Sequence, residues 1–195
     1  MVIIPLERLL IRLRQPKTRA DELAALRVRL RAERQAEPSA EERAAALEVR
    51  RLKRALADAT GAVTSCSECG KGMPPPGGAF AGGHCCSGRT EDLFNGDEVA
   101  MLAQCGTRPA DLVAPRTEHA GCAFRAPTHC TLTVEDRPAL CARYACNDLR
   151  RELFDLGRLD GLEALEAQLD DAYRRFSKLR ASRLDDELLN CSRSI

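Results

Sequence analysis

The sequence predicts a mainly α fold, with helical arms flanking a small, loop-rich module stapled through its cysteines. Three observations carry that prediction. Nine of the ten cysteines lie between Cys66 and Cys146. The residues on either side of this stretch are rich in Ala, Leu and Arg, with apolar side chains at helical spacing. The stretch itself has many Gly and Pro and few branched aliphatics. The expected organisation is an N-terminal helical segment over 1–61, a cysteine module over 62–148, and a C-terminal helix over 149–195 that packs on the N-terminal helices.

Taken in order, Leu6, Leu9, Leu10 and Leu13 mark a short amphipathic helix. Pro16 should end it, because proline has no N–H to donate and its ring clashes with the preceding turn. Leu23, Leu26 and Leu30 repeat at three and four residues and predict a second helix. Ser39, after Pro38 and three residues before Glu42, reads as a capping box. It opens a helix whose apolar face runs Ala45, Val49, Leu52, Leu56 and Ala59 until Gly61 stops it.

Within the module a modest helix is expected from Asp97 through Val99, Met101 and Leu102 to Gly106, and Pro138 is well placed to start another. Asp160 with Glu163 predicts the cap of the last helix, in which Leu162, Leu165, Leu169, Ala172, Phe176 and Leu179 follow the spacing of a coiled-coil seam. That seam fails at Arg183 and Asp186, so it is too short to stand alone. The N-terminal helical face is the favoured partner, since an apolar helical stripe is usually core. Homodimerisation through the same stripe is the rival.

Eight cysteines fall into pairs: Cys66-x2-Cys69, Cys85-Cys86, Cys122-x7-Cys130 and Cys141-x4-Cys146. Whether such sulfurs join each other or a metal depends on compartment. Val2 to Leu13 contains only short apolar runs broken by Glu7, Arg8 and Arg12, which does not read as a secretion signal, and no stretch approaches a membrane span. A cytoplasmic location is therefore expected, where thiols stay reduced and metal is favoured over disulfides. The adjacent Cys85-Cys86 pair supports this, because a disulfide between neighbours strains the peptide link. A module so poor in apolar residues is short of the burial that offsets chain entropy. Structural zinc would supply the difference, with an apparent binding energy on the order of ten kcal/mol at neutral pH.

Cys66-Ser67-Glu68-Cys69-Gly70 looks like a metal knuckle, in which two sulfurs grip one ion and the glycine permits a tight turn. Cys122 and Cys130 bracket a loop containing Pro127, as a second hairpin-like clip would. Cys141 and Cys146 are five residues apart, so on a regular helix their sulfurs would diverge by roughly 140°. Either the helix is distorted there or the two serve different sites. All three histidines, His84, His119 and His129, fall in the module and read as solvated residues or hydrogen-bond partners of thiolate, with metal ligation as the alternative. Arg125, Arg137 and Arg143 would offset the charge of a thiolate-rich ion. Cys105 reads as a packed thiol and Cys191 as an exposed one near the C-terminus.

The order of these residues resembles the YkgJ-type cysteine-cluster family, described as a zinc- or iron-chelating CxxCxxCC domain. The ending is similar: Gly121-Cys122-Ala123-Phe124, then His129-Cys130-Thr131-Leu132, then Arg137-Pro138-Ala139-Leu140-Cys141 and Cys146. The opening matches as Cys66-x2-Cys69 and Cys85-Cys86, with Lys71 to Gly83 inserted between halves that the family keeps close. The resemblance covers roughly 66–146. It implies that Cys66, Cys69, Cys85, Cys86, Cys122, Cys130, Cys141 and Cys146 bind metal, either zinc or iron, with an iron-sulfur cluster as one form of the latter.

Other functions find little support in the sequence. Net charge is +1 overall, and the arginines of 27–34 and 50–54 are interleaved with acids and lack aromatic neighbours, which disfavours nucleic acid. There is no phosphate loop, no G-x-S-x-G and no H-E-x-x-H. The catalytic residues of any reaction stay unknown, and the balance leans to a non-enzymatic metal-binding module that docks a protein partner. The alternative is an iron-sulfur or iron redox protein acting in electron transfer or a maturation reaction.

Overall fold

The computed structural model describes residues 18–65, 89–115, 122–126 and 129–193. Among these the chain is mainly helical. The helices are α1 (Arg19–Glu33), α2 (Ala40–Thr60), α3 (Thr90–Leu93), α4 (Gly96–Gln104), α5 (Ala139–Arg143), α6 (Asn147–Asp155) and α7 (Leu159–Arg193), with a 3₁₀ turn at Val134–Asp136. The helix expected around Leu6–Leu13 lies outside the described residues.

Local signals explain most helix boundaries. Thr18 caps α1 by accepting from the Asp21 N–H at 3.1 Å, while the Asp21 carboxylate accepts from the Thr18 N–H at 3.1 Å. Ser39 caps α2 by accepting from the Glu42 N–H at 3.0 Å. Only half of the expected capping box forms there, because the Glu42 carboxylate turns inward to Gln104 and Arg183. Asn95 caps α4 by accepting from the Glu98 N–H at 2.9 Å. Helices α4 and α6 end alike, with Gly106 (φ +88) and Gly157 (φ +68) in the left-handed region that glycine tolerates best. At the second of these ends the Gly157 N–H bonds the Phe154 carbonyl and the Arg158 N–H bonds the Leu153 carbonyl. That closure decides where α7 begins. The helix starts at Leu159, so Asp160 sits inside its first turn, where it complements the dipole without capping.

The bundle is built on α2 and α7, which run antiparallel. Glu42 at the start of α2 meets Arg183 far along α7, and the Thr60 carbonyl at the other end accepts from Arg158 at 3.2 Å. Ala45, Ala46, Val49, Leu52 and Leu56 of α2 bury against Leu162, Leu169 and Phe176 of α7, with Leu149 and Leu153 of α6 completing this core. A second core gathers Leu23, Leu26 and Leu30 of α1 with Phe94, Leu112, Phe124 and Leu132. The nine-residue helix α4 wedges between them. Ala100 and Met101 face the first core, Val99 and Leu102 the second. Neither core is confined to one stretch of sequence.

At Arg183, where the apolar seam was expected to fail, a buried ion pair replaces it. The guanidinium Nε donates to Glu42 at 2.8 Å, and the Gln104 side-chain amide donates to the same carboxylate at 2.5 Å. Glu42, fully buried, raises the Arg183 pKa and so keeps it charged. Lys53 and Glu98 form a second buried pair at 3.3 Å, and Glu98 also accepts from the Ala139 N–H at 2.7 Å at the start of α5. Asp136 ties the 3₁₀ turn down by accepting from Thr107 at 2.7 Å and Thr133 at 3.0 Å. No helix among the described residues is long and apolar enough to cross a membrane.

Candidate metal centre

Cys122, Cys130, Cys141 and Cys146 lie among the described residues, and Cys66, Cys69, Cys85 and Cys86 lie outside them, as do His84, His119 and the 71–83 insertion. Cys122 and Cys130 share one hairpin, whereas Cys141 lies in α5 and Cys146 just before α6.

The first pair sits on a small hairpin. An isolated antiparallel bridge joins Arg125 to Cys130, the Thr131 N–H donates to the Phe124 carbonyl at 2.9 Å, and the Ala126 N–H donates to the His129 carbonyl at 2.8 Å. Arg19, at the start of α1, donates to the Cys122 and Arg125 carbonyls at 2.6 and 2.7 Å and fixes the hairpin to the helix. The Phe124 ring meets Phe94 edge-on, with centroids 5.6 Å apart. Cys122 is buried, and the Thr90 hydroxyl lies 3.9 Å from its sulfur. Burial pushes the Cys122 thiol up, opposed by the Phe124 N–H and the Thr90 hydroxyl and reinforced by Cys130 and Glu22.

The second pair spans a break in the backbone. Helix α5 ends at Arg143, Tyr144 is extended (ψ 111°), and Cys146 is extended (φ −71°, ψ 169°) as the N-cap of α6. The interval from Cys141 to Cys146 is thus not a regular helix, and the angular divergence of one does not apply. Cys146 packs against the first core, whereas Cys122 and Cys130 belong to the second. Among the described residues no group of three or more His, Cys, Asp or Glu side chains is arranged to hold a metal ion.

Two tethers fix the described ends of the stretch between residues 65 and 89, one on α6 and one beside Cys122. At its start, Glu152 of α6 accepts from the Thr64 N–H at 2.6 Å and the Ser65 N–H at 2.8 Å. Cys146 caps that same helix. At its end, the Thr90 N–H donates to Glu22 at 3.1 Å, and the Thr90 hydroxyl accepts from the Ala123 N–H at 2.9 Å beside Cys122. Sequence reasoning missed Arg19, Glu22, Thr90 and Glu152. Each is an ordinary polar residue whose role comes from a partner at least 32 positions away.

Hydrogen bonds from Ser65 and Thr64 hold the Glu152 carboxyl at about 2, well below its usual 4.5. Its folded value is depressed, so the tether is fully present above the usual value and weakens as the pH falls toward 2. Replacing Glu152 by Gln should speed amide hydrogen exchange at Thr64 and Ser65 while leaving Leu52, in the core of α2, unchanged. Equal protection at Thr64 and Ser65 in both proteins would refute the tether.

The remaining candidates have local roles. Arg143 pairs with Asp170 of α7, while Arg125 is buried in the hairpin. The Cys105 thiol donates to the Ala46 carbonyl at 3.5 Å, and burial pushes its pKa up, as for a packed thiol. It borders a cavity of only about 10 Å³, room for one water at most. Cys191 is exposed on α7.

No family model, curated protein or solved structure matches this chain.

Proposed function

We propose that this chain is a metal-binding cysteine-cluster protein in which Cys66, Cys69, Cys85, Cys86, Cys122, Cys130, Cys141 and Cys146 hold zinc or iron, and in which the helices dock a protein partner. The observation that carries the reading is the pair of tethers. The stretch containing Cys66, Cys69, Cys85 and Cys86 leaves the described scaffold beside α6, which Cys146 caps, and rejoins it at Thr90, against Cys122. The described ends of that stretch are thereby fixed, one on α6 and the other beside Cys122. Support also comes from the placement of Cys122, whose sulfur lies 3.9 Å from the Thr90 hydroxyl at the end of that stretch. The resemblance to the cysteine-cluster family supplies the same ligands from the sequence.

The test is metal analysis of protein purified without air or chelators. Zinc or iron should be retained, lost in Cys69→Ser and Cys146→Ser, and kept in Cys191→Ser. A colourless zinc protein would favour a structural site, and a brown protein with acid-labile sulfide would favour a cluster. Freshly isolated protein containing neither metal, or equal metal in all three variants, overturns the assignment.

A further inference from the structure

We infer that the outward face of α7 pairs antiparallel with the same face of a second copy of this chain, about a two-fold axis passing between Ala181 and Ser182. The inward face of α7 is fully used against α2, with Phe176 and Leu169 at 0 % exposure and Arg183 paired to Glu42. The opposite face is open. Arg174, Lys178, Ala181, Ser182 and Asp185 are exposed, and Leu188 and Leu189 are 68 % and 56 % exposed. At about 100° per residue these seven fall within roughly a 120° arc on the side away from Phe176.

The charges on this face change sign along the helix: Arg174, paired with Asp171 one turn back, and Lys178 precede the small residues Ala181 and Ser182, and Asp185 follows them. Among the described residues neither Lys178 nor Asp185 forms an ion pair. A parallel second copy would set Lys178 on Lys178 and Asp185 on Asp185. An antiparallel copy centred between Ala181 and Ser182 sets each Lys178 against the other copy's Asp185, so both contacts become attractive at once. The same register brings Leu189 near the aliphatic stem of the other copy's Arg174, and the small residues at the axis allow close approach.

This interface is small. Residues 174–189 span about 24 Å of helix, and a face about 10 Å wide buries roughly 250 Å² per copy, well short of the 1,200 Å² or more in total that a stable complex usually needs. The pairing is therefore weak, with a Kd in the upper micromolar range, and is relieved by salt. It uses no cysteine of the candidate metal centre and stands whether or not the chain binds metal.

Sedimentation equilibrium of the full chain at low salt, from about 10 µM to about 1 mM, tests it. Wild-type protein should self-associate, and raising the salt should reverse this. Lys178→Asp and Asp185→Lys should each weaken association by at least about tenfold, with unchanged far-UV circular dichroism. An equimolar mixture of these two variants should associate as a heterodimer, because both contacts between them pair opposite charges again. A wild-type chain that stays monomeric throughout overturns the proposal, and so does a mixture that associates no better than either variant alone.

Discussion

Phe176→Ala should cost the bundle about 3–5 kcal/mol, read as a lower denaturant midpoint with an unchanged slope. Phe176 is completely buried where α7 crosses the start of α2, in a core that includes Ala45, Ala46 and Ala100. Alanines cannot swing into the vacated space, so most of the cavity persists, and its lining loses contacts as well as burial. The same side chain belongs to the seam that holds a 35-residue helix on the molecule. Leu47→Ala, at a position half exposed on α2, should change stability by no more than about 0.5 kcal/mol. A Phe176→Ala loss as small as that of Leu47→Ala would mean that α7 is not packed on α2 as described.

Lys53→Met should be about as damaging at neutral pH, at about 3–5 kcal/mol, because it strands a buried carboxylate. Lys53 and Glu98 are 2 % and 4 % exposed. Burial raises the Glu98 pKa, and Lys53 together with the Ala139 N–H opposes that rise. The folded value lies above the ordinary 4.5, so this group's contribution is fully present below that pH and declines as the pH climbs through the folded value. Without Lys53 the folded value rises further, and the deficit of the variant should therefore shrink on acidification, when Glu98 takes up a proton. The double variant Lys53→Met with Glu98→Gln keeps an acceptor for the Ala139 N–H and removes the charge. It should recover most of the loss. A Lys53→Met deficit that is the same at pH 5 and pH 8, or a double variant no more stable than the single one, would contradict a buried ion pair.

Much of the helical frame was legible in the chain. Leu23, Leu26 and Leu30, the α2 face from Ala45 to Leu56, and Leu162, Leu169 and Phe176 of the expected seam are all buried. Helical periodicity and caps are local properties, written within a few residues of where they act. The expected cap at Asp160 failed because the preceding Gly157 closure, also local but stronger, starts the helix two residues earlier, at Leu159. The hairpin character of Cys122 and Cys130 was legible from Pro127 and the spacing. The tethers through Glu22, Thr90 and Glu152 were not, since each joins residues that only the fold brings together.

The sequence by itself determined most of the helices, which of their faces are apolar, and that thiols cluster in the middle of the chain; it did not show α3, nor the break at Gly157 that divides the C-terminal helix expected over 149–195 into α6 and α7. Tertiary structure alone decided which charges go inside. On α2, Glu48 pairs with Arg51 at the exposed surface, while Lys53, two residues further on, is buried against Glu98. Helical spacing already puts Lys53 on the side of Val49 and Leu56, but no local feature supplies the carboxylate that it needs there. The difference is what faces them: water on one side of the helix, and on the other α4 with a carboxylate in place, where a charge is stable only when paired.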